Sequence, residues 1–153
     1  HVLDVRTVPR SRHNPQFNTD TLGRALKTAN VAYEHRPELG GLRKPTQDSI
    51  NAGWKNTSFR GYADYMQTQK FLTALDKLMR WSQHTSTAIM CAEAVPWRCH
   101  RSLIADALIV RGWTVQHIMT RTKADRHRLT PFAVVEQNSV TYPPPDPLEA
   151  QNS

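Results

Sequence analysis

Short apolar runs alternate along this chain with segments in which apolar positions recur every three or four residues. Residues 2–5 read as a buried strand, and residues 21–29 as a helix with Asp20 or Thr19 as its cap. A second strand is predicted over 31–34. From residue 36 to 58 the periodicity lapses into a polar segment carrying Gly40-Gly41, Pro45 and Gly53, and loops of that length are functional or disordered. Helices are predicted over 62–66 and 70–81, the latter with Phe71, Leu75, Leu78 and Met79 on one apolar stripe. A third strand over 86–91, a helix over 102–111 and a fourth strand over 114–118 complete the pattern. Residues 143–153, opening with three prolines, are expected to form a disordered tail, leaving one domain over 1–142.

Strand–helix alternation with right-handed crossovers predicts an α/β fold, an open and mainly parallel sheet with helices on both faces. In such sheets ligands bind beyond the carboxyl ends of the strands. The residues just past the four predicted ends are Asp4 and Arg6, His35 and Arg36, Cys91 and Glu93, and His117. Ionisable groups at each of them predict a polar pocket at that edge.

Composition narrows the setting. At 153 residues the chain buries a core without staples, and two cysteines are too few for a disulfide scaffold. Without a signal peptide or a long apolar run, an intracellular, cytoplasmic protein with no membrane contact is expected. The formal charge of +7 favours anionic partners, either nucleic acid, with DNA ahead of RNA, or a phosphorylated small molecule. No obligate protein partner is evident, and neither a cofactor nor a metal is expected.

The segment Cys91-Ala-Glu-Ala-Val-Pro-Trp-Arg-Cys99-His-Arg101 concentrates the candidate chemistry. Glu93, beside Pro96 and Trp97 in an apolar strand-end setting, is the first catalytic candidate, its protonation tuned for acid–base work. Asp4 and His100 are the others. Asp4 and Arg6 point to one face of a strand, where Arg6 either serves the pocket or neutralises a half-buried Asp4. Arg10 and Arg12 flank Ser11 as a phosphate clamp or a solvated loop. Cys99 at a helix start beside His100 and Arg101 has the setting of a low-pKa thiol, which leaves open a weaker reading as a cysteine-dependent transferase. Arginine at the Cys-x5-Arg spacing is absent. Cys91, Cys99 and His100 lack the tight pairing of structural zinc sites, and Cys91 reads as a packed hydrophobe. Trp54, Tyr62, Tyr65 and Trp97, interleaved with Lys55, Arg60 and Arg98, suit base stacking, although Tyr62 and Tyr65 equally fit a core-facing helix side. His35 and Arg101 join the binding set at the strand edge.

Several strings in order, Asp4-Val-Arg6, Pro9-Arg-Ser-Arg12, Glu38-Leu-Gly-Gly41, Arg60-Gly-Tyr-Ala-Asp-Tyr-Met66, Cys91-Ala-Glu93, Cys99-His-Arg101 and His127-Arg-Leu-Thr-Pro-Phe132, resemble the DUF488 family over roughly residues 1 to 142. The family carries no assigned activity, so the resemblance implies the fold more than the chemistry. Its members usually open with an additional strand bearing a Gly-His-Ser type motif and a helix. The present sequence starts at the following strand, so a trimmed beginning is expected.

Charge, aromatics and carboxylates together point to an enzyme acting on a nucleobase in DNA or RNA, for example by cleaving the N-glycosidic bond of a modified base. The alternative is a non-catalytic module that binds a nucleotide, nucleic acid or small anion.

Overall fold

A computed structural model describes residues 1–145, so the end of the predicted tail, 146–153, lies outside the described residues. Strands and helices follow in the order β1 (Val2–Asp4), α1 (Thr19–Thr28), β2 (Tyr33–His35), α2 (Thr57–Tyr65), α3 (Gln69–Ser82), β3 (Ala88–Met90), α4 (Arg101–Ile109), β4 (Gln116–Ile118), β5 (Ala124–Arg126), β6 (Val134–Glu136) and β7 (Ser139–Thr141). The chain divides into two compact units, one made of His1–Gly41 and Gln69–Ala94, the other of Leu42–Thr68 and the residues from Val95 onward. Among the described residues no helix is long and apolar enough to cross a membrane.

The first unit holds the parallel sheet. Its order is β2-β1-β3, with Asp4 opposite His35 on one side and Met90 on the other. As the central strand, β1 is lined on both sides, and Leu3, Asp4 and Val5 are all fully buried, as a parallel core strand requires. Phe71, Leu75 and Leu78 of α3 are buried in this unit, along with Leu39, so three of the four stripe positions are core and Met79 is half-buried. At the start of α1 the cap position is Asn18 rather than Asp20 or Thr19. Its side chain turns away from the helix and accepts the Ser11 N–H at 2.7 Å.

The second unit centres on α4, where Leu103 through Leu108 are buried without a break. Tyr62, Ala63 and Met66 from the region of α2 share that core with Val140 and Tyr142. Just past the end of α4, Gly112 at a φ of +84° turns the chain so that Trp113 N–H returns to Leu108 O at 3.1 Å.

One expectation is corrected in this unit, and another, left open between a functional and a disordered loop, is narrowed. The fourth strand does not extend the parallel sheet; β4 pairs antiparallel with β5, Gln116 opposite Arg126. Only His117 of its three residues is shielded, and a strand so exposed lacks the continuous apolar run that burial on both faces demands. The fold is therefore mixed α and β, a three-stranded parallel sheet with two small antiparallel ribbons, rather than one broad parallel sheet. The polar segment after residue 41 is also ordered, not loose. Asp64 on α2 accepts Thr46 N at 2.9 Å, Ser49 Oγ at 2.7 Å and Asn51 Nδ2 at 2.8 Å, pinning the loop to the helix. Asn56 caps α2 through Ser58 N and Phe59 N, so that helix begins a full turn ahead of the predicted residue 62.

Candidate functional site

Parallel pairing brings the carboxyl ends of β1, β2 and β3 to one edge, and three of the four expected groups lie on those strand ends. The fourth, His117, belongs to the β4–β5 ribbon instead. At the edge, Asp4 accepts Arg6 N at 3.1 Å and Arg6 Nε at 2.9 Å on Oδ1, and Arg6 Nη2 and Tyr33 Oη, each at 2.6 Å, on Oδ2. Burial pushes the Asp4 carboxyl up, but the Arg6 and Tyr33 hydrogen bonds outweigh it and hold the group below the usual carboxylate range. The Asp4 hydrogen bond in turn raises Arg6. Arg6 Nη2 also donates to Phe17 O at 2.7 Å, and His35 Nε2 sits 2.7 Å from Arg6 O. With four bonds on its two oxygens, Asp4 is an anchor for Arg6 and poorly suited to take up a proton.

Elsewhere in this unit Glu93 is exposed, so its surroundings are not the apolar setting expected to tune it. Arg10 and Arg12 are exposed on the loop between β1 and α1, open to a phosphate as well as to water. A groove of about 230 Å³, not foreseen in the sequence, runs along α3 and is lined by Arg36, Leu39, Lys70, Ala74, Lys77 and Trp81, among others. Positions 70, 74, 77 and 81 share one helix face, where the small Ala74 leaves the floor open. The Arg36 guanidinium lies 4.6 Å from the Trp81 ring centroid and pairs with Glu34.

In the second unit the aromatic candidates separate. Tyr62 is core, 1% exposed, with its ring 4.8 Å from that of His100; packing removes it from the stacking set. Trp54 is stacked on Phe59 at 4.8 Å and edge-on to Phe132 at 4.8 Å, part of an internal aromatic cluster. The Tyr65 ring is covered by Arg43, whose guanidinium carbon stands 3.8 Å from the centroid. Trp97 alone of these is broadly open, at 66%. Cys99 is buried just ahead of α4, where Arg101 Nε donates to its Sγ at 3.2 Å and His100 Nδ1 lies 3.8 Å away. That is the cationic setting expected for the thiol, but in a site closed to solvent. Neither cysteine is in a disulfide.

A second fully buried carboxylate with four hydrogen bonds was not among the sequence candidates. Asp106 is fully buried on α4 and accepts His127 Nε2 at 2.8 Å, Thr130 N at 3.1 Å, Thr130 Oγ1 at 2.6 Å and Tyr142 Oη at 2.7 Å. Behind His127, its Nδ1 lies 2.8 Å from Nε2 of His117. Burial, then His127 and Arg101, push His117 below the ordinary imidazole range, against weaker upward pulls from Asp125 and Asp106. Burial and Asp106 push the Tyr142 phenol strongly up, so it stays a donor. The signal in the sequence was an aspartate inside the apolar run Leu103-Ile-Ala-Asp-Ala-Leu108, since a charge there demands partners from elsewhere.

No curated protein and no solved structure matches the chain. Residues 1–108 match the family described as domain of unknown function DUF488, a span that takes in the Asp4–Arg6 edge and the Cys99-His-Arg101 start of α4. The chain belongs to the DUF488 family.

Proposed function

We propose that the protein is an enzyme acting on a nucleobase in nucleic acid, DNA ahead of RNA, with N-glycosidic cleavage of a modified base as the reaction. The observation that carries this reading is Trp97, 66% exposed between Pro96 and Arg98 on a chain of net charge +7. An open indole beside a cation suits a base drawn from its stack, with the phosphates met by arginines. Arg98 and Arg101, close to Trp97 in the chain, are the proposed phosphate contacts. Glu93 is assigned the carboxylate role, supporting positive charge on the sugar or activating water. A cytoplasmic location accords with the reading.

Base release tests it. Duplexes and single strands carrying a panel of modified bases are incubated with the protein, then treated with alkali to reveal abasic sites. Strand breaks at one modified base, lost in Glu93→Gln with binding retained, are expected. Silence across the panel would reject the enzyme reading.

A second reading, nucleotide binding without turnover, is favoured by the groove along α3. Trp81 offers a stacking face there, and Arg36, Lys70 and Lys77 outnumber the lone acid Glu38. Under this reading Lys70→Ala and Lys77→Ala weaken nucleotide binding while no product forms.

A further inference from the structure

A buried carboxylate that only fastened two segments to α4 would be satisfied by Thr130, Tyr142 and His127. His117 is not needed for that task. It makes no bond to Asp106, it stands half-buried on an otherwise exposed ribbon, and yet it is aligned with His127 at 2.8 Å.

The proton positions follow from the donors and acceptors. Asp106 is acceptor-only when ionised, so His127 must present Nε2–H to it. Neutral His127 then has a lone pair on Nδ1, which obliges His117 to donate from Nε2. That leaves the lone pair of His117 on Nδ1, an atom with no hydrogen-bond partner among the described residues and not enclosed. The charged groups that act on this ring are His127 behind it, Asp106 beyond, Arg101 from α4 and Asp125 from the opposite strand.

We propose that Asp106, His127 and His117 form a proton relay whose outer nitrogen, Nδ1 of His117, is a general base for a substrate carrying an oxyanion held by Arg101. In the step, an O–H of water or of a substrate hydroxyl gives its proton to His117 Nδ1. The freed electron pair on oxygen forms the new bond to the electrophilic centre, and the leaving group departs with the electrons of the bond that breaks. The Nε2 proton of His117 passes to Nδ1 of His127, so the positive charge comes to rest beside the Asp106 carboxylate. His117 then gives its Nδ1 proton to the leaving group while the proton on Nδ1 of His127 returns to His117 Nε2, which restores both neutral rings and resets the relay. His117 is the catalytic residue here; His127 and Asp106 position it. The relay does not rest on the nucleobase reading, and three of its members lie outside Trp97-Arg98.

Imidazole nitrogen NMR on the full chain tests the relay with no substrate in hand. At neutral pH His117 is expected to carry its proton on Nε2, and to titrate below the ordinary imidazole range. Inorganic phosphate, as the probe anion, should shift the His117 signals and raise its pKa, and Arg101→Gln should remove that shift. An acylating reagent such as diethyl pyrocarbonate should modify His117 ahead of His13 and His84, with the lead lost in His127→Asn. A proton on Nδ1 of neutral His117, reactivity no greater than that of the exposed histidines, or indifference to phosphate would each overturn the proposal. The wild-type tautomer and reactivity decide it even if the His127 variant fails to fold. Failure of base release leaves all three measurements standing.

Discussion

Tyr142 and Asp106, 36 residues apart in the chain, meet in the interior, the phenol donating to Oδ2 at 2.7 Å. The bond ties the end of β7 to the most buried helix of its unit. Tyr142→Phe keeps the ring and opens no cavity, so the loss isolates one hydrogen bond to a charged acceptor, about 1.5–3 kcal/mol. Three other donors remain on Asp106, which places the expected cost at the lower end. A urea titration checks it: the midpoint should fall with the slope unchanged. An unmoved midpoint would mean that Asp106 is held without Tyr142.

Acid should loosen the protein through two carboxylates. Asp4 and Asp64 both sit below the usual range; in Asp64 burial acts upward, and the Asn51, Ser49 and Thr46 donors outweigh it. A depressed folded-state pKa means that the unfolded chain binds the proton first as pH falls. Stability is therefore fully present above about pH 4 and drains away as pH drops through the folded values. Melting temperatures from neutral pH downward should stay level and then decline. Asp64→Asn should start lower and decline less steeply.

Two glycines should respond to alanine for opposite reasons. A Cβ on Gly61 would run into the carbonyl of Arg43 and lie 2.7 Å from Lys44 C, both of them backbone that cannot swing aside. Alanine in mid-helix gains about 1 kcal/mol of propensity, but overpacking costs about 1–3 kcal/mol and wins here. Gly112 has open space around it and a φ of +84°, so its alanine costs about 1 kcal/mol through backbone strain alone. Denaturation midpoints of the two variants should rank Gly61→Ala as the worse.

Trp97→Ala separates binding from folding. An indole 66% exposed contributes little to the core, so stability should hold within about 0.5 kcal/mol. If Trp97 stacks on a base, affinity for single-stranded DNA should drop by about 1–3 kcal/mol, read by fluorescence anisotropy at fixed salt. Unchanged affinity would remove the observation on which the nucleobase reading stands.

How much of this was legible follows from range along the chain. Local signals worked: the Phe71–Leu75–Leu78 stripe, the buried run that became β1, and the placing of Arg101 against the Cys99 sulfur all depend on near neighbours. Range defeated the rest. Nothing near Thr114 says that its strand pairs with Ala124–Arg126 rather than the parallel sheet, and both strands are too short and too polar for periodicity to register. The β6–β7 hairpin turns through Gln137 at φ 55°, without the Asn-Gly signal that marks such turns. Asp106 was visible only as an anomaly, because its partners lie 21 to 36 residues away. Asp4 and Arg6 were identified as a pair, but Tyr33, which completes the cluster, comes from another strand.

That cluster yields the sharpest contrast between a structural and a binding arginine. Arg6→Met removes the partner of a fully buried carboxylate while keeping much of the side-chain volume. An uncompensated buried charge costs about 3–5 kcal/mol, far more than the net contribution of the intact pair. The loss should be greatest at neutral pH and should shrink in acid, because protonating Asp4 relieves the burden that Arg6 no longer carries. Asp4→Asn combined with Arg6→Met should then recover a good part of the stability lost by Arg6→Met alone, a coupling that a double-mutant cycle measures directly. If Arg6 instead served a ligand and Asp4 were held by Tyr33 and the backbone, Arg6→Met would leave the melting curve nearly where it was and the cycle would close with no coupling.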